Sequence, residues 1–182
     1  PVPVATGEDS AVVDALRGFA VAVAEALRQI HSAGVTHRDI KPSNIILTPS
    51  SPVIIDFGIA GAADATSLTS TGMTMGSAGW MAPEQVLGRP TSPATDVFAW
   101  AAVVVFAATG RSPFGEGRPE ALAYRVVHGE ADLSGVDGTL LPLLRVALAD
   151  DPAKRPTVTE LLWSLGGKDA VADSATVIAG TW

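Results

Sequence analysis

Apolar residues recur at three- and four-residue steps early in the chain, at Leu16, Phe19, Val23, Leu27 and Ile30. That spacing predicts a helix with one buried face. Ser10 is expected to cap its start, because a serine side chain can accept from the free backbone N–H groups there. Gly34 is expected to end it, since glycine enters the left-handed turn beyond a helix without steric cost. Gly18 lies inside the span, where it costs about 1 kcal/mol relative to alanine, and close packing against a second helix is the expected return. The pattern then shortens. Ile45-Ile46-Leu47-Thr48 and Val53-Ile54-Ile55 are β-branched runs around Pro49-Ser50-Ser51-Pro52, and together they predict a hairpin.

Gly61 to Gly79 is rich in Thr, Ser, Gly and Ala without periodicity, so it reads as a long exposed loop. Long loops are uncommon unless functional. Ser92-Pro93 then opens an apolar helix to Thr109, stopped by Gly110, with Asp96 as its lone charge. A carboxylate so near a helix N-terminus is favoured by the dipole. The apolar run Val97 to Ala108 is shorter than the roughly 18 to 20 residues a membrane span needs, so burial on all sides is expected instead. Further helices are predicted over Glu120 to His128 and Thr139 to Ala149, and a capping box of Thr157 and Glu160 opens a last one. The expected organisation is a lead-in over 1–9, one domain over 10–166 and a flexible tail over 167–182.

Composition narrows the class. A chain of 182 residues can bury a core without disulfides or metals, and with no cysteine it can have neither disulfides nor zinc knuckles. A net charge of -7 gives no basic footprint for a phosphate backbone, so nucleic acid is not an expected partner. Residues 1–10 lack the basic start and apolar core of a signal peptide, and the first residue is Pro rather than Met, which points to a processed protein or a piece of a longer chain.

The candidate chemistry is concentrated in His37-Arg38-Asp39-Ile40-Lys41-Pro42-Ser43-Asn44. One loop carries a base, a cation and an amide. Phosphoryl transfer needs a hydroxyl positioned, phosphate charge neutralised and a metal held. Asp39 can accept the hydroxyl proton, Lys41 can reach the transferred phosphate, and Asn44 can offer a neutral oxygen to a metal. The stretch resembles the catalytic loop of the protein kinase family, H-R-D-x-x-x-x-N, with the lysine that marks its serine/threonine branch. Asp56-Phe57-Gly58, 17 positions after Asp39, resembles the family's D-F-G, in which the aspartate is the second magnesium ligand. Ala82-Pro83-Glu84 resembles the A-P-E that closes the activation segment, and Asp151-Pro152-Ala153-Lys154-Arg155-Pro156-Thr157 resembles D-P-x-x-R-P-[ST].

The resemblance covers roughly Ser10 to Leu165 and implies a mainly α fold, the large C-terminal lobe of a bacterial-type serine/threonine kinase with a short β-hairpin beside the catalytic loop. It implies ATP and Mg2+ as cofactors and a protein with a Ser or Thr acceptor as substrate. Ile46 would floor the adenine pocket, Arg155 would pair with Glu84, and Asp96 would hydrogen-bond the backbone of the catalytic loop. Ser77 falls where the family usually has threonine, bonding the catalytic aspartate and lysine. Thr69 and Thr71 fall where bacterial members carry activating phosphates, which Arg38 would receive. Only three lysines are present, Lys41, Lys154 and Lys168, and none can be the strand lysine of the family's small lobe. The small lobe is therefore expected outside this chain. The implied location is cytoplasmic, or the cytoplasmic part of a membrane-anchored parent. A non-catalytic kinase-like binding or regulatory module is the competing class, and a small-molecule phosphotransferase is a third.

Overall fold

The computed structural model describes residues 7–49, 51–56 and 77–166. It is mainly helical, with one two-stranded antiparallel sheet. Helix α1, Gly7–Ser32, begins three residues before Ser10, which is therefore inside the helix rather than its cap. Glu8 and Asp9 are residue types that the dipole favours in a first turn, so the helix needs no start at Ser10. At the other end Gly34 has φ 74°, and the Val35 N–H reaches back to the Ile30 carbonyl.

The periodic face of α1 is the buried one: Ala20, Val23, Ala24 and Leu27 are inaccessible, with Leu16, Phe19 and Ile30 packed beside them. Gly18 is on the other side. It is exposed, and a Cβ built there meets nothing within 4 Å, so it does not serve helix packing. The close approach is made by the alanines, and the Trp100 indole N–H donates to the Ala20 carbonyl at 3.0 Å.

Trp100 lies on α3, Pro93–Thr109, the central helix of the fold; the short α2, Pro83–Val86, precedes it. Every residue of α3 from Thr95 to Val105 is buried, which is why its sequence shows no polar face. Each large side chain buried this way contributes on the order of 1.5–3 kcal/mol. Helices α1 and α5, Leu141–Ala147, pack on α3, and α4, Pro119–Val127, packs on a 3-10 turn, Ser77–Trp80. Helix α5 is shorter than the Thr139 to Ala149 expected, because Thr139 is spent on a turn in which its N–H donates to Asp137 at 2.8 Å. A final helix, α6, covers 158–166. Its capping box forms, with Thr157 N–H donating to Glu160 Oε2 at 2.7 Å and Glu160 N–H to Thr157 Oγ1 at 3.3 Å.

The hairpin pairs β1, Ile45–Leu47, with β2, Pro52–Ile54, in the register Ile45 to Ile54, Ile46 to Val53 and Leu47 to Pro52. Ile45 and Ile54 pack against the core, whereas Ile46 and Val53 are exposed on the opposite face. Among the described residues no helix is long and apolar enough to cross a membrane.

Candidate active site

The loop between α1 and β1 is shaped by a buried carboxylate. Asp96, in the first turn of α3, is fully inaccessible and takes the His37 N–H at 2.8 Å and the Arg38 N–H at 2.7 Å. Its Oδ2 also meets His31 Nε2, at the end of α1, at 2.8 Å. These donors compensate the cost of burying the charge. Arg38 has φ 70°, a left-handed conformation that costs a non-glycine residue roughly 1–2 kcal/mol. Its carbonyl accepts from Gln85 Nε2 on α2 at 2.7 Å, so both ends of the residue are held. Arg38 Nε is buried with no hydrogen-bond partner among the described residues.

Past this turn, Asp39 faces outward with 38% of its side chain exposed, enough for a hydroxyl to approach. Its Oδ2 accepts from Lys41 Nζ at 2.8 Å and from Asn44 Nδ2 at 3.0 Å. Asn44 is buried and donates from the same nitrogen to the Asp39 carbonyl at 2.8 Å, which turns its Oδ1 away from Asp39. Inaccessible His37 braces the loop from behind: its Nδ1 accepts from the Asp39 N–H at 3.3 Å and its Nε2 meets the Ile55 carbonyl at 3.1 Å. Those partners require the proton on Nε2.

Asp56 follows β2 with φ 56° and an exposed side chain. The Ile55 N–H donates to the Asn44 carbonyl at 2.9 Å, so Asn44 and Asp56 leave adjacent rungs of the ladder. An amide oxygen and a carboxylate are hard oxygen donors, and two such ligands beside phosphate and water oxygens suit magnesium. Among the described residues no group of three or more His, Asp or Glu could hold a metal unaided. Ile46, 48% exposed, stands with Val53 on the open face of this hairpin.

Beneath α2, Glu84 meets Arg155 in a buried bidentate pair, Nη1 to Oε1 and Nη2 to Oε2, both at 2.8 Å. The remaining guanidinium donors go to the carbonyls of Ala94, Ala149 and Asp150 at 3.0, 2.8 and 3.1 Å. All five donors are thus placed. Thr95 Oγ1 donates to Glu84 at 2.7 Å, and the guanidinium lies 5.0 Å from the centre of the Phe98 ring. Burial opposes ionisation of Glu84, but the bonds from Arg155 and Thr95 outweigh it and hold the carboxyl below its ordinary range.

Phe57, Gly58, Thr69 and Thr71 lie outside the described residues, and Ser77 opens the 3-10 turn with only its backbone described. Two open cavities, of about 830 and 570 Å³, lie by α5 and α6 and by the segment between α4 and α5; neither reaches Asp39. Sequence reading missed His31 and Gln85. A histidine in the last turn of a helix is ordinarily explained by the dipole, and nothing in the local pattern marks Gln85.

A family model described as protein kinase domain matches residues 7–164. The chain belongs to the serine/threonine protein kinase family. It is 39% identical over 148 residues to the serine/threonine-protein kinase AfsK of Streptomyces coelicolor, covering 81% of this chain and 18% of that protein. The probable serine/threonine-protein kinase PkwA of Thermomonospora curvata is 39% identical over 150 residues, 82% of this chain and 20% of that protein. For the serine/threonine-protein kinase PknA of Mycobacterium tuberculosis the identity is 43% over 136 residues, 71% of this chain and 31% of that kinase. The chain thus spans about a fifth of the length of the first two of these kinases.

Proposed function

We propose that this chain is the C-terminal lobe of a serine/threonine protein kinase that transfers the γ-phosphoryl group of ATP to a Ser or Thr hydroxyl of a protein, its lobe spanning 10–166. The observation that carries this is the Asp39 carboxylate, exposed to an incoming hydroxyl and oriented by Lys41 and Asn44. As the hydroxyl oxygen bonds to phosphorus and the bond to the ADP oxygen breaks, Asp39 takes the hydroxyl proton. Lys41, released from Asp39 toward the phosphate, offsets its charge. Asn44 Oδ1 and Asp56 hold Mg2+, which neutralises phosphate charge when bound. Ile46 and Val53 offer an apolar face for the adenine ring. Arg38, whose buried Nε has no partner among the described residues, receives a phosphate on Thr69 or Thr71, while Phe57, Gly58 and Ser77 take the family's positions around the metal and acceptor. The glycine-rich loop and strand lysine of the small lobe are supplied from outside this chain, since none of its three lysines fits that position. The location is cytoplasmic or the cytoplasmic side of a membrane-anchored parent.

The test is a radiolabelled transfer assay on this chain and on the full-length protein that carries it, each with an Asp39→Asn control. The full-length protein is expected to turn over in the kinase range of about 1–100 s⁻¹, dependent on Asp39, and the isolated chain far below it. Kinase-like turnover by the isolated chain refutes its incompleteness. An inert full-length protein favours the non-catalytic binding module.

A further inference from the structure

Gln85 holds two backbone groups that belong to different parts of the site. Its Oε1 accepts from the Ala82 N–H at 3.0 Å, and its Nε2 donates to the Arg38 carbonyl at 2.7 Å, 47 residues away in sequence. These partners fix the orientation of the amide, because reversing it would set NH2 against N–H and oxygen against oxygen. The Arg38 carbonyl and the Asp39 N–H share one rigid peptide plane. One edge of that plane is held by Gln85 and the other by His37 Nδ1. The Arg38 N–H, one residue earlier, is held by Asp96. With its φ of 70°, Arg38 lacks the backbone preference that would keep this turn in place unaided, so these partners decide where the Asp39 side chain leaves the chain.

We infer that Gln85 is a positioning residue for phosphoryl transfer, tying the Ala82-Pro83-Glu84 segment to the peptide plane that aims Asp39. The inference rests on Asp39 being the acceptor of the hydroxyl proton. It has a mechanical consequence. Displacement of α2 relative to the catalytic loop breaks or reorients the bond to Arg38, so the Ala82-Pro83-Glu84 segment sets the aim of the base.

Two substitutions in the full-length protein separate this role from plain stability. Gln85→Glu keeps an acceptor for the Ala82 N–H but sets a carboxylate oxygen against the Arg38 carbonyl; Gln85→Met removes both bonds at similar volume. Misaiming a catalytic group by about 1 Å can cost on the order of 100-fold, so kcat should fall by about 10- to 100-fold in both, with little change in the KM for ATP. In Gln85→Glu, relative to the unsubstituted protein, kcat should recover as the pH falls, because the introduced carboxyl then carries a proton to donate to Arg38. Gln85→Met should not recover. A merely structural Gln85 would show no such rescue. Amide hydrogen exchange over residues 37–41 should be faster in both variants at mildly alkaline pH, whether or not transfer is measured. If the unsubstituted protein transfers phosphate and both variants do so at its full rate, or if exchange is unchanged, the positioning role is overturned while the kinase activity stands. If the unsubstituted protein transfers nothing, the kinase activity and the catalytic role of Gln85 are both refuted, and exchange reports only on whether Gln85 holds the plane.

Discussion

Arg155→Ala is the sharpest perturbation of the fold beneath the site. It removes five donors and one charge. Glu84, 4% exposed, keeps the Thr95 hydroxyl but no counter-ion, and the carbonyls of Ala94, Ala149 and Asp150 each lose a bond. Stranding one member of a buried ion pair costs about 3–5 kcal/mol, against a total stability of roughly 5–15 kcal/mol for a domain. The expected result is a denaturant midpoint lowered by roughly a fifth or more at unchanged slope. Arg155→Lys should fall between, since an ammonium keeps the charge but cannot serve the same five positions. Glu84→Ala strands the guanidinium in turn, and the double variant should lose less than the sum of the singles by about 1–3 kcal/mol.

The pH dependence has a definite sign. Glu84 is held below its ordinary range in the folded protein, so its contribution to stability is complete above the unfolded carboxyl's pKa, about 4.3, and is lost as the pH falls through the folded value. Arg155→Ala removes the strongest bond opposing burial, so the lowering is reduced. The variant should then lose less stability than the parent on acidification, and the gap between them should narrow. Singles that add to within about 0.5 kcal/mol, with the two acid profiles parallel, would refute the coupling of Glu84 to Arg155.

Gly18→Ala should raise stability by about 0.5–1 kcal/mol, because the position is exposed, helical and open to a Cβ; thermal unfolding measures it, and a lower midpoint would contradict the placement. Gly115→Ala should destabilise, since its φ is 71° and a Cβ would sit 2.5 Å from Arg125 Nη1, whose guanidinium donates to the Phe114 and Glu116 carbonyls; an unchanged midpoint would show that this loop gives freely. Asp96→Asn should slow transfer and loosen residues 37–38 in amide exchange, because an amide presents one acceptor oxygen where two N–H groups and His31 converge. Phosphate on Thr69 or Thr71 should be found by mass spectrometry in the active full-length protein and be absent in Asp39→Asn; an active protein with both threonines bare would exclude them as the Arg38 ligand.

From the residue pattern alone, what is legible depends on whether a residue's partner is near it in the chain; the distant pairing of Glu84 with Arg155 is legible only through the family resemblance. The helices are legible, since periodicity is local: α1 carries its apolar face at Leu16 to Ile30, and α3 is continuously apolar because Thr95 to Val105 are all buried. Ser10 and Gly18 show the limit. Their residue types permit a cap and a close helix contact, but the helix starts earlier and packs through Ala20 and Ala24, whose small side chains look ordinary in an alanine-rich sequence. In the candidate site, Asp39, Lys41 and Asn44 could be read because six residues of chain hold all three. Of the clamp on Arg38 only Asp96 is legible, and its role only through the family resemblance. Gln85 on α2 and Asp96 on α3 hold the turn and His31 on α1 bonds Asp96, an arrangement that exists only after the three helices have packed. Asp96 still left a trace, as the one charge on an apolar helix, since a buried carboxylate demands partners from somewhere. Gln85 left none, because a neutral amide beside Glu84 is as ordinary on a surface as in a site; only the positive φ of Arg38 shows why the carbonyl it binds needs holding.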